Sequence, residues 1–165
     1  MSCKETYLTL MSSLLDKTPK GNVAKYLSYK EAWSRIKKAQ EQGFYLEAVT
    51  LEESIITDRL ISYLVGVGAI ERAAEIRKYP GFAKLIQIWK KQNPTPINTR
   101  TYCDLQTAVE QWSRQRNKIV HGMVKSHPGT ATDNVIDFLE EAKLIAEEGK
   151  TLARVVSYWV KKTKI

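Results

Sequence analysis

The stretch from Phe44 to Val65 constrains the fold more than any other part of the chain. Its apolar residues Phe44, Ala48, Leu51 and Ile55, with Tyr45, Val49, Ile56, Leu60 and Tyr63, recur mostly at steps of three and four. That period belongs to an α-helix, because 3.6 residues per turn bring such positions onto one side. A stripe this wide predicts a helix packed on more than one side. Such a helix must be covered by other elements, and no segment of the 165 residues shows the alternating pattern of a half-buried strand. The expected fold is all-α: a four-helix up-and-down bundle with additional short helices, formed as one domain over residues 1–165.

The remaining elements follow from period and punctuation. A short helix is expected over Glu5 to Leu15, ended by the turn at residues 17–22. Ser28 and Glu31 have the spacing of a capping box, which predicts a helix from there to Gln42, and Gly43 can take the left-handed conformation that stops it. Residues 70–92 read as a helical hairpin or kinked helix, broken at Tyr79-Pro80-Gly81. The prolines of Asn93-Pro-Thr-Pro-Ile-Asn mark a loop. Further helices are expected from Tyr102 to His121 and from Thr132 to Lys162, the second with a bend at Gly149.

Composition excludes several classes. Hydrophobic residues make up 43% and charged residues 27%, a globular balance rather than that of a disordered tail. The longest nearly apolar run, Ile61 to Ile70, is far below the roughly 18 residues of a membrane span, so no membrane partner is expected. The N-terminal residues, with Glu5 among them, do not read as a secretory signal. Cys3 and Cys103 fit no metal or redox spacing and read as free thiols in a reducing cytoplasm.

The net charge of +8 is unevenly spread. Acidic and basic residues balance in residues 1–76 and again in 128–165, whereas residues 77–127 set ten cations against Asp104 and Glu110 alone. A surplus held in one third of the chain points to an electropositive region, and a phosphate backbone is the most economical partner for it. The blander reading is a charged helical surface that keeps the protein soluble.

No glycine-rich phosphate loop, serine elbow or zinc spacing is present, so no cofactor and no metal are expected. Imidazole chemistry has two candidates. His127 lies in a Pro-Gly turn and reads as a solvated loop residue. His121 closes the string Arg116-Asn117-Lys118-Ile119-Val120-His121 inside the basic segment. On a helix Asn117 and His121 share a face, and the long side chain of Arg116 can reach the same mouth. Phosphodiester cleavage needs such a set. Imidazole removes a proton from a ribose 2′-hydroxyl or donates one to the leaving oxygen. A guanidinium neutralises charge growing on the phosphoryl oxygens, and an amide fixes imidazole or phosphate. The blander reading makes His121 a helix-end residue favoured by the dipole.

At Arg116, Asn117 and His121 the chain resembles the HEPN superfamily (higher eukaryote and prokaryote nucleotide-binding domains). Its signature is Arg, a polar residue, three to five others, then His, carried late in a helical bundle. The resemblance implies a metal-independent endoribonuclease acting as a homodimer, with two motifs facing one another across the axis. It implies products ending in a 2′,3′-cyclic phosphate and a 5′-hydroxyl, and a setting in toxin–antitoxin, abortive-infection or phage-defence systems. An antitoxin or other defence partner follows from that setting. Met123 stands where one toxin branch of the family has Tyr, which removes the basis for regulation through that residue.

Around this motif, Arg114, Lys118, Lys125, Lys90 and Lys91 are the expected contacts to the RNA backbone, with Arg114 as the second choice for the catalytic guanidinium. The acids Glu47, Glu52, Glu53 and Asp58, with Arg59 beside them, either orient Arg116 or His121 or form a solvated face. Trp33, Trp112 and Trp159 lie on apolar stripes and are expected in the core, whereas Trp89, beside Lys90 and Lys91, is the candidate for stacking on a base. The competing reading of the whole chain is a non-catalytic helical module that holds nucleic acid or an acidic protein through residues 77–127.

Overall fold

A computed structural model describes residues 22–122, 128–129 and 134–163; the helix expected over residues 5–15 lies outside them. The described residues form five α-helices and no strand: α1 (Val23–Glu41), α2 (Tyr45–Gly66), α3 (Phe82–Gln92), α4 (Leu105–Gly122) and α5 (Val135–Thr163). A 3-10 turn, Ile76–Lys78, precedes α3. By its contacts the chain divides into residues 1–35 and residues 36–165, with α1 running across the division.

In the first unit the helix begins earlier than the capping box predicts. The Asn22 side chain accepts the Lys25 backbone N–H at 3.0 Å, which caps the helix six residues upstream of Ser28. Glu31, freed from a capping role, accepts from Arg35 at 2.9 Å one turn away. Trp33, expected in the core, is half-buried.

In the second unit, Gly43 stops α1 as expected, with φ +78° and the Phe44 N–H donating to the Ala39 carbonyl at 2.8 Å. The stripe on α2 then buries Ala48, Val49, Ile55, Ile56, Leu60 and Leu64. Residues 69–75 are not helical, contrary to the expected hairpin. Glu71, Arg72, Glu75, Ile76, Arg77 and Lys78 are all exposed, and a short helix with no face to bury has no tertiary support.

α2 packs chiefly on α5, α4 packs on α5 and α3, and α3 also covers α2. The bundle is all-α, but its directions do not alternate strictly. Glu52 meets Gly149, and eleven residues on the Tyr63 ring lies tilted against Trp159 with centres 4.7 Å apart, so α2 and α5 run the same way. Trp112 donates to the Ile145 carbonyl at 2.9 Å and Lys118 reaches Glu141 at 3.1 Å, so α4 runs against α5. The long irregular connection from 67 to 81 allows this, because it lets the chain return along α2 before α3 starts.

Gly149 has a packing role in α5. A Cβ at this position would lie 2.6 Å from the Trp112 ring and would collide with the Glu52 carboxylate. The glycine is there so that α2, α4 and α5 can approach at one point. Nearby, Trp89 is fully buried, 5.4 Å from Trp159 between ring centres. The candidate for base stacking is thus a core residue, since α3 turns Leu85, Ile86 and Trp89 inward together.

Candidate functional site

α4 carries the Arg-Asn-His string in its last two turns. Ile119, between them, is buried and anchors this part of the helix, which leaves Asn117 and His121 exposed on the outer face. Arg116 turns the other way. Its guanidinium forms an ion pair with Glu53 of α2, with 20% and 18% of the two side chains exposed. The Asn117 side-chain oxygen accepts a second guanidinium N–H. Burial holds the Arg116 guanidinium below its ordinary pKa. Five residues correspond to about 140° around a helix, so Arg116 and His121 leave α4 in different directions. The structure thus brings Arg116 to Asn117 and to one carboxylate of α2, while His121 stands apart at the helix end.

The α2 acids divide by environment. Glu53 is the one that reaches Arg116, a pairing the sequence left open between four carboxylates. Glu47 is exposed. Glu52, one residue before Glu53, is 0% exposed, and burial pushes its carboxyl up to about 9, with Lys150 pulling back only part of the way. The Gln40 amide donates both to Glu52, at 3.3 Å, and to the Ala146 carbonyl, at 3.0 Å, and accepts from Lys150 at 3.2 Å. Glu52 therefore behaves as a neutral, hydrogen-bonding core group at neutral pH.

The expected backbone contacts are largely committed to acids. Lys90 reaches Glu110 at 2.7 Å and holds its carboxyl below the usual range, and Arg114 approaches the same Glu110 at 3.5 Å. Lys118 pairs with Glu141. Lys91 is exposed and forms no ion pair among the described residues. Lys125 and His127 lie outside the described residues, and Cys103 is an exposed free thiol. A groove of about 570 Å³ beside α4 and α5, lined by Tyr102, Gln111, Gln115, Glu141, Leu144 and Glu148, carries two carboxylates.

Sequence reasoning missed a second cationic region, made by Arg100 together with Arg154, Tyr158 and Lys162 of α5. The four-residue spacing of those three α5 residues was legible. It was hidden because acids and bases balance in residues 128–165, so a charge count passes over them.

Comparison with family models, with curated proteins and with solved structures gave no match. Among the described residues no group of three or more His, Cys, Asp or Glu is placed to hold a metal ion, and no helix is long and apolar enough to cross a membrane.

Proposed function

We propose that this chain is a metal-independent endoribonuclease of HEPN type, active in the cytoplasm as a homodimer in phage defence or a toxin–antitoxin system. The observation that carries the reading is the α4 string itself, with Arg116 steered by Glu53 and Asn117 and with His121 exposed at the end of the same helix. His121 abstracts the ribose 2′-hydroxyl proton, and the 2′-oxygen attacks phosphorus. The P–O5′ bond then breaks and the 5′-oxygen takes a proton from water or from the His121 of the second copy, giving a 2′,3′-cyclic phosphate and a 5′-hydroxyl. Arg116 answers the negative charge on the phosphoryl oxygens, and Asn117 fixes the guanidinium or the phosphate. The homodimer follows from the HEPN resemblance, and since Arg116 and His121 diverge on one α4, a second copy facing the first would supply the complementary group.

A non-catalytic RNA-binding or partner-binding module is the second reading, and one observation favours it: Arg116 is already held by a carboxylate. An antitoxin or another acidic partner would then dock on the basic surface. Incubation with total RNA in EDTA separates the two. The ribonuclease reading expects fragments with cyclic-phosphate ends from the wild type and none from His121→Ala. Full cleavage by His121→Ala overturns it. Salt-sensitive RNA binding without cleavage in either protein favours the module.

A further inference from the structure

The far end of the α4–α5 pair carries a groove that the cleavage reading does not use. It measures about 640 Å³ and lies between the loop before α4 and the last turns of α5. Asn98, Arg100, Arg154, Tyr158, Trp159 and Lys162 line it, and among the described residues no carboxylate does. The loop is held in shape by its own hydrogen bonds. The Thr99 N–H donates to the Tyr102 carbonyl at 2.8 Å, the Tyr102 N–H donates to the Thr99 hydroxyl at 2.9 Å, and the Leu105 N–H reaches the Ile97 carbonyl at 2.9 Å. Arg100 therefore sits at the tip of a fixed turn and forms no ion pair among the described residues.

The aromatic residues at this groove differ in kind. Trp159 is tied into the core by Tyr63 and Trp89 and gives the groove a rigid wall. Tyr158 is 60% exposed, an unusual setting for a large ring. Its ring carries the Lys162 ammonium 4.8 Å from its centre. That contact is exposed and weak, so a flat ring can replace it while the ammonium moves to a neighbouring anion. A stacking ring beside cations, with no acid to repel a phosphate, is the chemistry that grips a single-stranded nucleic acid.

We infer that this groove is a second contact for single-stranded RNA, with one base stacked on Tyr158 and the adjoining phosphates held by Arg100 and Lys162. It rests on the proposed RNA substrate but not on the cleavage chemistry. From the Glu141 level, where Lys118 pairs, to Tyr158 is 17 residues of α5, about 25 Å at 1.5 Å per residue. The groove therefore grips a part of the strand remote from the scissile bond, and its loss changes affinity rather than chemistry.

The test uses a 5′-fluorescein-labelled, unstructured RNA of about 12 nucleotides, within the span of known single-strand sites. Binding is read by anisotropy with the 165-residue chain, and cleavage of the same RNA is followed separately. Tyr158→Ala is expected to weaken binding by about tenfold, with Tyr158→Phe restoring most of it. Arg100→Ala with Lys162→Ala is expected to flatten the slope of log affinity against log salt by about 1.4, two contacts at roughly 0.7 each. All of these side chains are at the surface, and circular dichroism checks that the fold is kept.

Tyr158→Ala binding as tightly as wild type overturns the groove, whether or not the wild type cleaves. So does failure of the wild type to bind the RNA, or binding of uridine monophosphate as tight as that of the strand. Loss of binding in Tyr158→Ala, in a wild type that never cleaves, leaves the groove standing and removes the ribonuclease.

Discussion

At one end of the α4–α5 pair Arg116 faces Glu53 and Lys118 faces Glu141; at the other, Arg100 and Lys162 border a groove whose wall holds no carboxylate among the described residues. Both ends are cationic in sequence, yet their charges are available to a ligand in different ways. A guanidinium locked between two fixed acceptors is oriented before substrate arrives, which suits a group that must meet a developing charge at one point. Cations beside an exposed ring adapt to a flexible strand and suit holding. Cation density alone therefore does not locate a phosphate site. What matters is how much of each charge the protein has already answered.

Division of labour between the ends is tested first by the largest effect. Under the ribonuclease reading, His121→Ala lowers the cleavage rate by about 10²- to 10⁴-fold with RNA affinity nearly unchanged, the range expected for loss of a general acid or base. Tyr158→Ala does the reverse, raising KM and leaving kcat. Single-turnover cleavage beside anisotropy on the two variants reads this directly. A drop in kcat for Tyr158→Ala merges the two ends into one site.

The second test lies between the ends, where α2 presses Glu52 against Gly149 and Trp112. Glu53 is the one charged carboxylate answering Arg116 at this end only while Glu52 is neutral. Its carboxyl is held near 9 when folded, against 4.5 as the ordinary value. Between those values the folded state keeps a proton that the unfolded chain releases. The stabilisation is therefore full below about pH 4.5 and is lost as pH rises toward 9. One proton corresponds to a slope of about 1.4 kcal/mol per pH unit. Glu52→Gln keeps the amide partner and removes the titration, so its urea midpoint falls less between pH 6 and pH 8.5 than that of the wild type. Equal slopes show Glu52 ionised and place two carboxylates at the Arg116 end.

Glu53→Gln sharpens the same end with a smaller effect. The pair is about four-fifths buried, so the loss lies between that of an exposed pair and that of a fully buried one, on the order of 1 to 2 kcal/mol. Cleavage is expected to fall by about tenfold because Arg116 loses its guide while keeping its charge. Thermal unfolding and initial rates check the two parts. An increase in cleavage would instead make Glu53 a restraint that substrate must displace.

The helices were legible because each buries a stripe of period 3.6, and Gly43 because only a positive φ ends α1 there. Three features were not. The shared direction of α2 and α5 depends on the path of residues 67–81, which has no period to read. Trp89 looked like a surface aromatic because Lys90 and Lys91 adjoin it in sequence, whereas the turn of α3 sends it inward and Lys91 out. Gly149 looked like a weak point in a helix until Glu52 and Trp112, 97 and 37 residues away, were seen to fill the space above it. At the candidate site, Arg116, Asn117 and His121 could be picked out because one helix carries all three. The choice of Glu53 over its neighbours is tertiary, set by which side of α2 meets α4.

The smallest effect is the sharpest test of availability. Lys118 and Arg100 are both exposed cations of the basic segment, and a charge count treats them alike. Lys118 already faces Glu141 across a pair whose side chains are 70% and 43% exposed. Such a pair contributes about 0 to 1 kcal/mol and is screened by salt, so Lys118→Ala changes stability by less than about 0.5 kcal/mol. Any contact from Lys118 to RNA must first give up Glu141 and leaves that carboxylate beside the phosphate. Its counterion release is offset, and the salt slope of binding stays within error of wild type. Arg100→Ala, with no acid to compensate, flattens the slope by about 0.7. Affinities measured from about 50 to 200 mM salt separate the two. An equal change for Lys118→Ala means the surface ion pair does not withhold its charge, and the distinction between the ends then rests on Arg116 alone.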